Sequence, residues 1–271
     1  MTMKTVRFNR HRMAVSGAAA GRAAAVIGAS VAVLAVGQLP AAAATDPYPS
    51  GSSGYDVSYP QCPGTTAPSG SYGFAIVGVG GGRPFTSNSC AGAEAAAAAA
   101  AGISNVAYYF NTGYAGAYGR DISTTCSNDV STGMDDGVFA NLKGHVLSED
   151  QKAWEIGCSE ALYAQSITST MPTPTMWWAD IETGNSWSTN TALNDFVIDG
   201  LTYQMAAAGA PGGAGIYSYT SAWDRIAGTG SVPTPAENGN WLAFTGNFNS
   251  ATPYLLQGGT TSSGIDTDTA Y

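Results

Sequence analysis

Histidine is nearly missing from this chain, with two in 271 residues, His11 and His145. A multi-histidine metal site is excluded once the amino-terminal segment is removed, and a Ser-His-Asp triad would rest wholly on His145. No Gly-x-Ser-x-Gly turn supports such a triad, and His145 reads as a loop or helix-flank residue. Cysteine is scarce too, with four residues and no Cys-x-x-Cys spacing, which argues against a zinc site. Neither a metal nor a cofactor is expected. The run Gly78-Val79-Gly80-Gly81-Gly82-Arg83 has Arg83 where a third phosphate-loop glycine belongs, and no Gly-Lys-Ser/Thr follows. It reads as strand-end geometry. Basic residues number 10 against 19 acidic ones, a net charge of −9.

The chain begins with Lys4, Arg7, Arg10 and Arg12, continues through an apolar run from Ala23 to Val36, and reaches Leu39-Pro40-Ala41-Ala42-Ala43-Ala44. Residues 1–44 therefore read as a secretory signal peptide with an Ala-x-Ala cleavage site near Ala44. The apolar run is short for a membrane span, and nothing later approaches the roughly 20 apolar residues a span needs. Cleavage removes Lys4, Arg7, Arg10, Arg12 and Arg22 but no acid, leaving five basic and nineteen acidic side chains and a net charge of −14. Nucleic acids and anionic membranes call for a positive footprint, so neither is an expected partner.

About 227 residues remain, a length that suits one large domain or two small ones. Residues 45–53 read as a Ser/Gly/Pro linker and 54–271 as one domain, expected to be a monomer. All four cysteines, Cys62, Cys90, Cys126 and Cys158, fall in the exported part, and an even count in an oxidising compartment argues for two disulfides. Three pairings are possible. Joining Cys62 to Cys90 and Cys126 to Cys158 encloses the shortest loops, and each bridge then stabilises by about 3.5 kcal/mol in the chain-entropy model.

Short apolar runs bounded by Gly and Pro mark the strands. They are Gly54–Tyr59, Tyr72–Val79, Asn105–Phe110, the run through Trp177 and Glu182, Gly213–Tyr219, Asn240–Phe244, Pro253–Gln257 and Gly264–Asp268. Helices are expected over Cys90–Ala101, where Gly102 supplies a stop, and from the capping box at Ser148-Glu149-Asp150-Gln151 to about Ala164. Two more are expected over Asn190–Ala208, with Asn190 as N-cap, and near Ser221–Ile226. The segment from Asn111 to Ser148 is polar and Gly/Ser-rich and gives no clear reading. The pattern implies an α/β fold: a single modified, eight-stranded parallel β/α barrel, five β/α units followed by three strands with few or no helices. A doubly wound open sheet is the runner-up.

Met176-Trp177-Trp178-Ala179-Asp180-Ile181-Glu182 carries the most chemistry. In a strand Asp180 and Glu182 share a face, about 6.6 Å apart at Cα. Two like charges buried that close raise at least one pKa, as an acid/base pair requires. Taken alone, both equally suit caps or a solvated strand end. A barrel gathers functional groups at the carboxyl ends of its strands, and closure brings Asp56 on strand one and Asp266 on strand eight to the same mouth. By alternation Trp178 faces inward and Trp177 the helices. Tyr59, Tyr108, Tyr109, Tyr217 and Trp241 fall at or near strand ends, where aromatic faces suit sugar rings.

These motifs, in this order, resemble the family 25 glycoside hydrolases, lysozyme-type N-acetylmuramidases of bacterial peptidoglycan. Tyr55-Asp56-Val57-Ser58 with Gln61 is similar to the family's Asp-Val-Ser-x-Trp-Gln, with Pro60 at the tryptophan position. Trp178-Ala179-Asp180-Ile181-Glu182 resembles its Asp-x-Glu strand, and Ile265-Asp266-Thr267-Asp268 its closing Val-Asp-Leu-Asn. Ile216-Tyr217-Ser218, Trp241-Leu242-Ala243 and Leu256-Gln257 look like its fifth, sixth and seventh strands. Strand three departs from it, with Ala-Tyr-Tyr-Phe where the family tends to have a histidine before the phenylalanine. The resemblance implies Glu182 as general acid, with Asp180, Asp56 and Asp266 at the family's other acidic positions. Tyr108, Tyr109, Trp178, Tyr217, Trp241 and Gln257 are the expected substrate contacts. It implies a secreted, wall-associated enzyme acting on peptidoglycan or a related amino-sugar polysaccharide. An idle glycan-binding barrel and a chitinase-like enzyme are the alternatives.

Overall fold

Eight short runs form strands: β1 Ser53–Val57, β2 Phe74–Gly78, β3 Val106–Asn111, β4 Trp177–Asp180, β5 Ala214–Ser218, β6 Glu237–Leu242, β7 Tyr254–Gly258 and β8 Asp266–Ala270. In the computed structural model, residues 46–62, 64, 67–133, 148–229, 237–243, 254–258 and 265–271 are described. The segment 1–44 read as a signal peptide and His145 lie outside them. The strands close into a barrel in sequence order. β1 to β7 run parallel, but β8 is antiparallel to both β7 and β1, which corrects the all-parallel expectation. Seven residues separate Gly258 from Asp266, fewer than the dozen or so that a parallel crossover needs.

Helices cover β2 to β5: α1 Ala91–Ala100 follows β2, α2 Thr124–Gly133 and α3 Ser148–Ile167 follow β3, α4 Thr191–Ala207 follows β4, and α5 Thr220–Ile226 follows β5. β1 is followed only by a 3-10 turn, Tyr59–Gln61, so it does not open a β/α unit. The Gln61 side chain closes that turn by accepting from Ser58 N at 2.8 Å. A second 3-10 turn, Gly116–Asp121, and α2 occupy part of the polar segment that gave no reading. Asn190 caps α4, its Oδ1 accepting from Ala192 N at 3.2 Å. α3 and α4 pack backbone to backbone at two glycines. A Cβ at Gly157 would sit 1.9 Å from Val197 O, and one at Gly200 would sit 2.1 Å from Trp154 O.

Both disulfides pair sequentially. Cys62–Cys90 ties the turn after β1 to the start of α1, and Cys126–Cys158 ties α2 to α3, with Cα separations of 5.7 and 5.8 Å. No helix among the described residues is long and apolar enough to cross a membrane.

Strand alternation divides the core into two layers. Val57, Val77, Tyr108, Trp177, Ala179 and Ile216 face the helices, while Phe74, Ile76, Trp178, Trp241, Leu256 and Ala270 fill the barrel. The segment expected to be a linker is part of this filling. Tyr48 is buried, its ring 4.9 Å from Phe74 and stacked at 6.2 Å on Trp178, and its hydroxyl accepts from Trp178 Nε1 at 2.8 Å. Asn105 Nδ2 binds Pro47 O, and Gly51 N binds Ala270 O at 2.9 Å. Residues 46–53 therefore close the amino-terminal end of the barrel. Tyr48→Ala is expected to lower unfolding free energy in urea by about 3–5 kcal/mol, and Tyr48→Phe, which removes only the hydroxyl, by about 1 kcal/mol. A flexible linker would show neither loss.

Candidate functional site

The antiparallel β8 sets the site, because its amino end lies at the mouth where the other strands finish. Asp56 on β1 stands in register with Asp266, and Gly54 with Asp268. Asp268 is two residues further along β8, on the same inward face and one step deeper, and it is buried. β4 ends at Asp180, so Glu182 lies just past the strand and not within it. The ladder continues one residue further through Ile181 N to Tyr217 O at 2.9 Å. Glu182 is then fixed from both sides: Ser218 Oγ donates to Ile181 O at 2.8 Å, and Trp187 Nε1 donates to Glu182 O at 2.7 Å. All four acids expected at the mouth are brought together there.

The carboxyls form two pairs. Asp180 is hydrogen-bonded to Glu182, and Asp56 to Asp268. Asn111 Nδ2 holds Asp180 Oδ2, but no amide or hydroxyl donor reaches the buried Asp180 Oδ1 or Asp268 Oδ2. Burial, then the charge of Glu182, hold the Asp180 pKa well above the carboxylate range. Burial also raises Glu182, while the hydrogen bond from Asp180 pulls it down. Burial thus holds both carboxyls above their ordinary range. Burial first, then Asp268, Asp266 and Asp180, hold Asp56 well above its usual value. Burial pushes Asp268 up to about 7, against the lowering effect of the Trp241 hydrogen bond.

The expected aromatic contacts separate by depth. Tyr109 and Tyr217 share the mouth with the acids. Both phenols are kept neutral, chiefly by burial and then by the nearby carboxylates. Trp241 lies beneath them, its ring 4.4 Å from Tyr217 and 5.9 Å from Tyr109, and its Nε1 donates to Asp268 Oδ1 at 2.9 Å. It is the floor of the site. Three expectations are corrected. Trp178 is fully buried below Trp241 and turned toward Tyr48. Tyr108 faces the helix layer, packed on Trp177, and its hydroxyl donates to Pro172 O at 2.9 Å. Gln257 pairs with exposed Thr269 and accepts from the Tyr271 hydroxyl at 2.6 Å, on the barrel's outer face. None of the three can touch a ligand at the mouth. Tyr59 is exposed on the turn after β1, its ring over Gly82. No His/Cys/Asp/Glu cluster among the described residues is arranged to hold a metal.

No family model and no curated protein matches the chain. Solved structures do. A muramidase from Acremonium alcalophilum aligns with a TM-score of 0.52 at 16% identity, over 81% of this chain and 93% of its own. The modular autolysin LytC from Streptococcus pneumoniae, solved in complex with a synthetic peptidoglycan ligand, aligns with a TM-score of 0.50 at 14% identity. That alignment covers 81% of this chain and 46% of LytC, so the chain spans less than half of that protein. A family 25 glycosyl hydrolase from Bacillus anthracis aligns with a TM-score of 0.47 at 13% identity, over 84% of this chain and 91% of its own. The chain has the muramidase barrel fold.

Two residues of the site were missed in the sequence. Asp268 follows Asp266 at the same i, i+2 spacing that singled out Asp180 and Glu182, so alternation alone could have found it. Asn111 stands beside Asp180 in the β3–β4 register, and as the polar residue ending β3 it was visible but read as loop.

These pKa shifts set a pH dependence. A carboxyl raised in the fold binds protons that the unfolded chain, titrating near 3.9, has already released. Its contribution to stability is complete below about pH 4 and is lost as pH rises through its folded value. Asp268, pushed to about 7, and Asp199 on α4, pushed by burial and Asp195 to about 8, place that loss between about pH 4 and 8. The melting temperature should fall across this range. Asp268→Asn still accepts from Trp241 but does not titrate, and it should flatten the fall below about pH 7. A melting temperature that climbs from pH 4 to 8 would contradict the assignment.

Proposed function

We propose that this chain is a secreted glycoside hydrolase that cuts the β-1,4 bond between amino sugars of peptidoglycan, with Glu182 as the proton donor. The observation that carries the reading is the hydrogen-bonded Asp180–Glu182 pair, set at the mouth of a muramidase-type barrel between Tyr109 and Tyr217. The solved neighbours, a muramidase and an autolysin bound to a peptidoglycan ligand, support the substrate class. The export reading of residues 1–44 belongs to the same proposal, as does a monomeric domain, and two disulfides suit an oxidising compartment.

Pairing decides the role of Asp180 in this proposal. Acid and nucleophile in a direct double displacement stand about 5–5.5 Å apart across the scissile bond. Asp180 ends the strand that Glu182 follows two residues on, and on that closeness Asp180 is assigned to assist the substrate's own acetamido group. In the resting site the two carboxyls share a proton. A sugar docking on Glu182 strips the remaining water from it and draws the proton across, leaving Asp180 ionised to accept the acetamido N–H. Glu182 then protonates the glycosidic oxygen as the C1–O bond breaks, with the electron pair going to that oxygen, and the acetamido carbonyl oxygen closes onto C1. The Glu182 carboxylate next takes a proton from water, whose oxygen attacks C1 and reopens the ring. Two inversions retain the anomeric configuration.

Asp56 and Asp268 share a proton beside this pair, which limits the negative charge near the reacting carbon, and Asp266 stands at the rim for the sugar's hydroxyls. Tyr109 and Tyr217 offer neutral phenols to the sugar, and exposed Tyr59 offers a ring face. Glu182→Gln cannot donate the proton, and release of reducing ends from purified cell walls should drop by about 100-fold or more with the melting temperature retained. Undiminished release would overturn the assignment. Chitin run in parallel separates the chitinase-like alternative.

A further inference from the structure

Immediately past the catalytic pair, the β4–α4 loop and α5 enclose a cavity of about 320 Å³, within the size range of small-ligand sites. Its wall includes Thr183, Asn185, Trp187 and Thr189 from the loop, with Arg225 and Ile226 from α5. Thr183 adjoins Glu182 in the chain, and the Trp187 indole that lines the cavity is the one that donates to Glu182 O. The cavity is therefore joined to the site by covalent and hydrogen-bonded contacts. It combines hydroxyls, an amide and an indole with a single guanidinium.

That guanidinium is unusual in this molecule. Arginine and lysine are outnumbered about two to one by acids over the whole chain. The only ion pair among the described residues joins Arg120 to Asp121, so Arg225 is not matched to a carboxylate of the described fold. An anionic ligand approaching so acidic a surface is repelled at long range, and it needs a local cation to dock beside Glu182. A planar guanidinium meets a carboxylate in a two-point fork that a lysine cannot form.

We infer that this cavity is a subsite for the carboxylate-bearing stem peptide of peptidoglycan, with Arg225 binding a peptide carboxylate and the Thr183–Thr189 loop cradling the peptide backbone. The inference rests on the peptidoglycan reading and deepens it. The peptide leaves the muramoyl ring from the oxygen on C3, adjacent to the C2 acetamido group that Asp180 holds. A peptide leaving there meets the loop that begins at Thr183. The subsite selects for peptidoglycan over chitin, which has the acetamido group but no peptide and no carboxylate.

The test uses the full exported protein on two substrates, purified peptidoglycan and the same material with its carboxylates converted to neutral amides by carbodiimide and ammonia. Wild type should show a KM about tenfold lower on the unmodified material, with kcat similar on the two. In Arg225→Gln that difference should collapse, whereas Arg225→Lys, which keeps the charge but not the fork, should keep only part of it. Equal KM values for wild type on both substrates, or a preference that survives Arg225→Gln, would overturn the subsite while leaving the hydrolase assignment intact. Failure of wild type to release reducing ends from either substrate would overturn the hydrolase assignment itself. Because amidation leaves phosphate groups untouched, a wild-type KM that stays equally low on the amidated material and rises in Arg225→Gln would point to a wall phosphate and count against the peptide.

Discussion

The hydrogen bond from Trp241 to Asp268 joins the apolar interior of this barrel to its acidic mouth. Below it, Trp241, Trp178, Phe74 and Tyr48 form a continuous aromatic filling. Above it lie Asp56, Asp266, Asp180 and Glu182. A carboxyl as buried as Asp268 would be costly without a donor, and an indole N–H buried that deep needs an acceptor. Each group satisfies the other. The same contact fixes Asp268 beside Asp56, so the aromatic floor positions the upper pair of carboxyls.

The direction of β8 provides the second constraint. Had β8 run parallel, Asp266 at its start would lie at the closed end among Tyr48 and Phe74, where nothing could neutralise it. The short connection from β7 forces the reversal, and the reversal turns the start of the strand into part of the mouth. Only then do Asp56 and Asp266 stand opposite each other. A strand of sequence Asp-Thr-Asp-Thr-Ala with no helix over it is consistent with that position: Asp268 and Ala270 point inward and Thr269 faces water.

Much of this was legible in the sequence because it depends on local rules. Period-two alternation separated Trp177 from Trp178 and brought Asp180 near Glu182, Asn190 announced α4, and of three open disulfide pairings the fold has the one with the shortest loops. The unread parts depend on long-range geometry. Pro47 and Tyr48 sit in a Ser/Gly/Pro stretch that looks like linker, and only the cavity at the barrel's closed end makes Tyr48 a core residue. Tyr108 and Gln257 sit at strand ends in sequence, yet their facing is fixed by the parity of the whole strand. Strand β8 was legible in its composition and not in its direction, although the seven residues before it already ruled out a crossover.

Stability and chemistry place opposite demands on the mouth. Packing carboxyls into a dry barrel end stabilises the protein only while protons are shared among them, and those same shared protons are what a glycosidase must deliver. In the Asp180–Glu182 pair the two demands are met by one proton. Held on Asp180, it neutralises a buried carboxyl whose Oδ2 already accepts from Asn111. In the proposed mechanism it moves to Glu182, becomes available to a glycosidic oxygen and exposes the charge that an acetamido N–H would neutralise. Asn111 makes this possible because its amide donates to Asp180 in either state, holding the carboxyl in place while the proton changes owner. Were that donor absent, the ionised Asp180 would be a buried carboxylate supported by nothing in the protein, and the proton would have no reason to leave it.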